Sequence, residues 1–462
     1  MRRLLLPLSA CLLLLSPAWA QFEVMDPKDP VLPPAGGVLF AAAYAEYVWN
    51  SQSVFTRHTG ETAELLLIES GVAKVAGSPP ATAIQRLGGG EQGLHRLAPP
   101  LLLEGEYDTC LLADLTGDDS DEVIIRCEVT SSGDSAGPAV PYSGRKPPKG
   151  STLRRTTVVS FEDVTNRVLM LLQQDAPAEV KELPGILPTE SGNDLVIASF
   201  GGHAGGATAA PDAWLHYSFA SSGEGQGLVR QSDLVMTPVP ITSLRTADLT
   251  GDGARQLISL RSFPTESYKQ QLWAQRLNAK GFFENAAIGR GNDMQLLPVS
   301  DHQPGIFFLW NDVKAKIPRT HLTSLKLDAD GKPAQQLDLA LSSVVSLKSA
   351  AWGQTRPFQA TPQLGMLLRP AALEETWLGI VTFMEGTTAP SISMISHPSF
   401  TGLTSLTAFD VNGDGYDDWI SVGNNGLLVY DPIRETINER AQIATAASGT
   451  DHEDQLFSLI PE

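Results

Sequence analysis

Short apolar runs recur along the chain, each set between polar turns. They are Leu65 to Ile68, Val123 to Ile125, Leu195 to Ile197, Leu257 to Ser259, Ile306 to Phe308, Met366 to Leu368 and Trp419 to Ser421. Runs of three or four residues bounded by Gly, Asp and Asn predict strands buried on both faces. The residues at their N-terminal ends, Glu64, Glu122, Asp194, Gln256, Gly305, Gly365 and Asp418, recur about every sixty residues. Hairpin signals lie between them. Asp330-Gly331 divides two alternating runs, Asn278 to Gly281 divides the runs around Trp273 and Phe282, and Asp163 to Asn166 divides Val158-Val159 from Val168-Leu169. Each unit therefore reads as strand, loop, strand and outer hairpin. Seven four-stranded antiparallel units of this period predict an all-β, seven-bladed β-propeller, which closes radially and leaves few free strand edges. Helical periodicity is scarce, with one candidate near Ile433 to Ala446.

The loop before three of the runs has its own pattern. Asp114-Leu-Thr-Gly-Asp-Asp-Ser-Asp-Glu122, Asp248-Leu-Thr-Gly-Asp-Gly-Ala-Arg-Gln256 and Asp410-Val-Asn-Gly-Asp-Gly-Tyr-Asp-Asp418 place oxygen-bearing side chains at positions 1, 3, 5 and 9. Such oxygens, with a backbone carbonyl at position 7, suit a hard cation such as Ca2+, and Gly at position 4 or 6 allows the sharp turn. The candidate ligands are Asp410, Asn412, Asp414, Tyr416 and Asp418; Asp114, Thr116, Asp118, Ser120 and Glu122; and Asp248, Thr250, Asp252, Ala254 and Gln256. Carboxylate count ranks the third loop tightest and the middle loop weakest, with Asp119 standing where the first loop would otherwise carry Gly. Eroded copies lie at Thr59-Gly60-Glu61 and before Asp194, Gly305 and Gly365. An EF-hand would need Glu at position 12 and flanking helices, whereas position 12 is Ile125, Ser259 or Ser421.

On these loops the chain resembles the FG-GAP/VCBS repeat family, the calcium-binding propeller blades also found in integrin α-subunit heads. The resemblance covers about residues 45–460. It implies a propeller and calcium, and more loosely adhesion or ligand binding, because propellers host many functions.

Composition narrows the compartment and the partner. Of 462 residues, 33 are Lys or Arg and 52 are Asp or Glu, giving a net charge of −19 and excluding the basic footprint of a nucleic-acid binder. Arg2-Arg3, the apolar stretch Leu4 to Leu15 and Ala18-Trp19-Ala20 read as a signal peptide over residues 1–20, with Leu8 to Cys11 as an alternative lipoprotein box. No later stretch is long and apolar enough for a transmembrane segment. Residues 21–44 then form an N-terminal segment that could close the ring, and residues 45–462 form the propeller; closure would pair part of residues 22–50 with the blade containing Trp419. A secreted or periplasmic chain retains Cys110 and Cys127. They are centred on the loop 114–122, so in-register flanking strands would set them opposite each other as a disulfide.

Other candidate chemistry is weaker. Gly133-Asp-Ser135-Ala-Gly137 resembles a nucleophile segment, but no His in matching context accompanies it. Arg145, Lys146, Lys149, Arg154 and Arg155 make a local basic stretch, and His203 sits among glycines. Tyr44, Tyr47 and Trp49 read as blade packing. The function that fits best is a non-catalytic binding or adhesion module for a protein or glycan. The alternatives are a secreted polysaccharide-active lyase or hydrolase, and a structural partner in an envelope complex.

Overall fold

The computed structural model describes residues 44–441, except 61, 132–148, 163–166, 179, 190–191, 201–212, 223–224, 232–239, 264–267, 278–282, 301–302, 304, 329, 358–360, 372, 384–389, 424–425 and 440. The chain forms seven antiparallel sheets in a ring, a seven-bladed β-propeller. Blade 1 holds Tyr47–Thr59, Thr62–Ala73 and Ala81–Gly88, with its fourth place shared by His95–Arg96 and Leu101–Glu104. Blade 2 holds Glu106–Ala113, Glu122–Thr130, Thr152–Glu162 and Arg167–Pro177. Blade 3 holds Lys181–Thr189, Gly192–Phe200, Ala213–Ser222 and Gly225–Arg230. Blade 4 holds Ile241–Asp248, Arg255–Ser262, Gln270–Leu277 and Phe283–Gly291. Blade 5 holds Gln295–Leu296, Ile306–Asp312, Arg319–Leu327 and Pro333–Ala340. Blade 6 holds Val345–Gly353, Gln363–Pro370, Trp377–Thr382 and Ser391–Ser396, and blade 7 holds Ser405–Phe409, Asp418–Gly423, Gly426–Asp431 and Thr436–Asn438.

The apolar runs become the second strand of each blade because both of its faces are covered by neighbouring blades. Leu65, Leu66, Leu67 and Ile68 are all fully buried, as are Val123, Ile125, Leu195, Val196, Leu257, Ile258 and Ile306. The core is divided among the interfaces between blades. Leu66, Ile84 and Leu103 meet Val123, Ile125 and Val159 between blades 1 and 2. Comparable clusters fill the interfaces of blades 2 and 3, 3 and 4, 4 and 5, 5 and 6, and 6 and 7. The seventh joins the ends of the chain: Val54, Leu65 and Leu87 of blade 1 pack with Phe409, Ile420, Val422 and Val429 of blade 7.

Three sequence expectations change. Tyr47 to Asn50, which could have joined the blade containing Trp419, instead pair with Ser70 to Ala73 inside blade 1. Every described strand of blade 7 comes from residues 405–438. Across the closure Ser405 Oγ accepts from Val54 N and donates to Val54 O, both at 3.1 Å. The rest of the proposed closing segment, to residue 43, lies outside the described residues. The candidate helix near Ile433 is a turn followed by the strand Thr436–Asn438, while residues 442–446 lie outside the described residues. Finally, Cys110 and Cys127 are free thiols. The strands flanking 114–122 pair Cys110 with Ile125 and Cys127 with Tyr107, and a bulge at Asp108 lengthens one strand. A bulge adds one unpaired residue and shifts all pairing beyond it. Burial pushes both thiols up, Cys127 to about 11, so neither is readily ionised.

Four strands per blade fix the faces of the ring. An even number of antiparallel strands returns the chain to the face from which it entered. All loops joining first to second strands, and third to fourth, therefore share one face. The loops joining second to third strands, and one blade to the next, share the other.

Candidate functional site

The three Asp-rich loops are first-to-second-strand loops, so the fold brings them to one face. Their backbones repeat the same turn. The position-1 carboxylate accepts from the amides at positions 4 and 6. Asp410 takes Gly413 N at 2.7 Å and Gly415 N at 2.8 Å; Asp248 takes Gly251 N at 2.7 Å and Gly253 N at 2.9 Å; Asp114 takes Gly117 N at 2.7 Å and Asp119 N at 3.2 Å. The position-5 carboxylate accepts from the position-7 amide in each loop: Ser120 N to Asp118, Ala254 N to Asp252, and Tyr416 N to Asp414. Residues at positions 4 and 6 are left-handed, at φ 75° and 85° for Gly413 and Gly415. Asp119, the non-Gly exception, takes the same conformation at φ 63°. Asp is among the few residues that tolerate it. The sequence differences between loops therefore leave the turn unchanged.

Position 9 separates the loops. Glu122 is fully buried and accepts from Leu115 N at 2.6 Å and Thr116 N at 3.2 Å. Asp418 is 3% exposed and accepts from Val411 N at 3.2 Å. Burial pushes each carboxyl up to about 7; the Asp118 and Asp114 charges add to this at Glu122, and Asp431, Asp414 and Asp410 add to it at Asp418. Neither forms an ion pair among the described residues. The corresponding acids of blades 1 and 3 have basic side chains as partners. Glu64 binds Arg57 at 2.8 Å and Arg86 at 2.6 Å, and Asp194 binds His216 at 2.6 Å. Gln256 removes the charge in the middle loop. Burial alone would raise Asp248, but amide bonds from Gly253, Gly251 and Thr250 more than offset it and lower its pKa.

Each loop is also clamped by neighbouring blades. Gly60 N donates to Asp119 O, and Asn193 Nδ2 donates to Asp114 O, both at 2.8 Å. Gly305 N donates to Asp248 O at 2.6 Å. In blade 7, Gly90 N donates to Val411 O and Asp417 N to Gln354 O, both at 2.9 Å. Gln354 N in turn donates to Asp417 Oδ2 at 2.7 Å. These loops thus act as joints between blades.

No protein-family model and no curated protein matches the chain. Among solved structures, it is similar to an exotype rhamnogalacturonan lyase, at 13% identity and a TM-score of 0.40, covering 83% of this chain and 72% of the lyase. A Bacillus licheniformis rhamnogalacturonan lyase aligns at 13% identity and a TM-score of 0.39, with the same coverage. A Mycobacterium tuberculosis puromycin-hydrolysing peptidase aligns at 10% identity and 0.41, covering 88% of this chain and 55% of the peptidase. Similarity at this level carries no activity from those proteins to this one.

The candidate donors are all oxygens, the chemistry of a hard cation. Among the described residues no three His, Cys, Asp or Glu side chains already enclose a common point. Carboxylates now turned toward loop amides would have to rotate to share an ion. Sequence reading missed the outer neighbours of the blade 7 loop. Asp431, from the third-to-fourth-strand turn, is 7% exposed, and Arg434 spans Asp431 at 2.6 Å and Asp414 at 3.8 Å. It also misplaced the eroded loop of blade 6. Gln363, rather than Gly365, opens the second strand, is buried, and bonds the buried Thr355 hydroxyl.

The remaining candidates lie elsewhere. Tyr44 is buried, stacks on Trp49 at 4.7 Å and donates to Glu69 at 2.8 Å, which is packing against blade 1 rather than an open platform. Arg154 and Arg155 lie in the third strand of blade 2, and Arg155 pairs with Asp175 and Glu104. Ser135, Arg145, Lys146 and His203 lie outside the described residues; Lys149 is described and exposed. The strand ends flanking these segments, Thr130 and Thr152, and Phe200 and Ala213, are on the face opposite the Asp loops. No helix among the described residues is long and apolar enough to cross a membrane.

Proposed function

We propose that this chain is an exported propeller of FG-GAP/VCBS-like repeats that binds calcium on its acidic face and acts as a non-catalytic binding or adhesion module for a protein or glycan. The observation behind this reading is the contrast at position 9. Blade 1 neutralises its buried carboxylate with an Arg pair and blade 3 hydrogen-bonds its own to His216, while among the described residues Glu122 and Asp418 have no such side chain in contact. A buried charge is costly unless it is paired. A calcium ion would supply positive charge directly at these carboxylates, which in blade 7 only Arg434 approaches among the described residues, by way of Asp431 and Asp414. Asp410, Asn412, Asp414, the Tyr416 carbonyl and Asp418 would hold it in blade 7. Asp114, Thr116, Asp118, the Ser120 carbonyl and Glu122 would do so in blade 2, and Asp248, Thr250, Asp252, the Ala254 carbonyl and Gln256 more weakly in blade 4. Since the loops join neighbouring blades, filling them would stiffen the face that a partner meets.

Calcium at a hundred times its dissociation constant stabilises a site by about 2.7 kcal/mol. We expect a chelator to lower Tm, and Asp414→Ala to remove more of the calcium-dependent shift than Asp252→Ala. Elemental analysis showing no bound calcium, together with identical melting in calcium and in chelator, would reduce these loops to acidic turns.

A further inference from the structure

We propose that the rim of blades 4 and 5 opposite the acidic loops docks on an anionic lipid surface. The inference is independent of calcium. It begins with two exposed aliphatic residues, Val313 at 53% and Ile317 at 61%, both in the turn between the second and third strands of blade 5. Single exposed aliphatics are ordinary. Here two share one short turn whose form is held by Asp312, which accepts from Lys314 N and Ala315 N at 3.1 Å each. Pro318 follows Ile317, and between and beyond the two aliphatics stand exposed Lys314, Lys316 and Arg319.

Blade 4 extends the same chemistry. Lys314 Nζ lies 4.6 Å from the Tyr268 ring and Arg290 5.0 Å from it, so the aromatic gathers cations from both blades. Exposed Lys269 is adjacent to Tyr268. Among the described residues the acids close by are Asp312, committed to its turn, and Asp293, which accepts from Asn311 at 3.4 Å. A chain with a net charge of −19 thus concentrates its acidic loops on one face and collects five cations around two exposed aliphatics on the other. That combination complements an anionic bilayer. Aliphatic tips enter the headgroup boundary, and Lys and Arg, with an aromatic ring at the same level, meet the phosphates. A short exposed turn suits a deformable lipid surface better than a rigid protein partner, which would need a matching concavity.

The test is sedimentation of the full chain with vesicles, in chelator so that no metal bridges the acidic face. One set is phosphatidylcholine alone; the other also contains phosphatidylglycerol. Hydrogen exchange of residues 312–319 provides the local readout. Protection of that turn by anionic vesicles but not neutral ones is expected. A Val313→Asp/Ile317→Asp variant should lose about tenfold in anionic-vesicle binding, and Ile433→Asp, on the acidic face, should bind unchanged. The proposal fails if the turn exchanges equally with and without anionic vesicles. It also fails if the double variant keeps wild-type protection of the 312–319 turn, or if soluble dextran sulfate protects the turn as well as vesicles do, which would make the partner an anionic polymer.

Discussion

Buried charges in this ring are handled residue by residue, and the handling differs. Glu64 has Arg57 and Arg86, but Glu182, 1% exposed in the first strand of blade 3, has neutral donors on its carboxylate among the described residues: Gln174 at 3.3 Å and Thr156 at 3.5 Å. Burial outweighs these bonds and the nearby Arg126 charge, pushing its pKa from 4.5 up to about 7. Below pH 4.5 folded and unfolded chains both hold the proton, so this group has no effect. As pH rises from there to 7, the unfolded chain ionises first and stability falls, by an amount on the order of 3 kcal/mol. Glu182→Gln should therefore match wild type in urea at pH 4 and exceed it at pH 8; equal urea midpoints at pH 8 would contradict this. Little at this scale was legible beforehand. The Asp-loop ligands were found because their spacing is local in sequence. Arg57, Arg86 and His216 were not, because each reaches its carboxylate from another strand. The cysteine pairing failed for a similar reason: the bulge at Asp108 has no clear mark in the sequence.

Elements were easier to read than contacts. An apolar run marks the second strand of every blade because two neighbours bury it, and Asp-Gly marks the 328–332 turn, where Gly331 sits at φ 73°. The approach of one loop to another was not marked. Gly89, in the third-to-fourth-strand loop of blade 1, lies against the blade 7 Asp loop, and a Cβ there would sit 1.9 Å from Asp410 O. Backbone cannot yield as a side-chain tip would. Gly89→Ala should push the two loops apart, at a cost of about 1–3 kcal/mol, and should weaken the calcium response of blade 7 without altering any proposed ligand. Calorimetric titration of G89A beside Asp414→Ala separates the effects: G89A should bind calcium more weakly, and an unchanged affinity would show that the clamp does not shape the site.

For the whole molecule, the interface between first and last blades joins the two blades farthest apart in sequence. It contains no described exchanged strand, and Ser405 bridges both backbone groups of Val54. Ser405→Ala would leave a buried donor and acceptor unmatched, destabilising the fold by about 1–3 kcal/mol. If the ring opens there first, hydrogen exchange should accelerate in Tyr47–Thr59 and Ser405–Phe409 before other blades; uniform acceleration would argue against a weak seam. The sequence period announced the number of blades. It did not announce the seam, which depends on which strand meets which across some 350 residues.

Blade parity has one more consequence. Tyr47 starts the first strand and Asn438 ends the last on the same side of the ring, and the seam between them is built like the other six interfaces. Nothing in this packing singles out where the polypeptide must start. A circular permutant, linked from the end of blade 7 to the start of blade 1 and opened between blades 3 and 4, would present the same cylinder with its ends relocated. The order of blades along the chain is thus a matter of inheritance, while their order around the axis is what the physics holds.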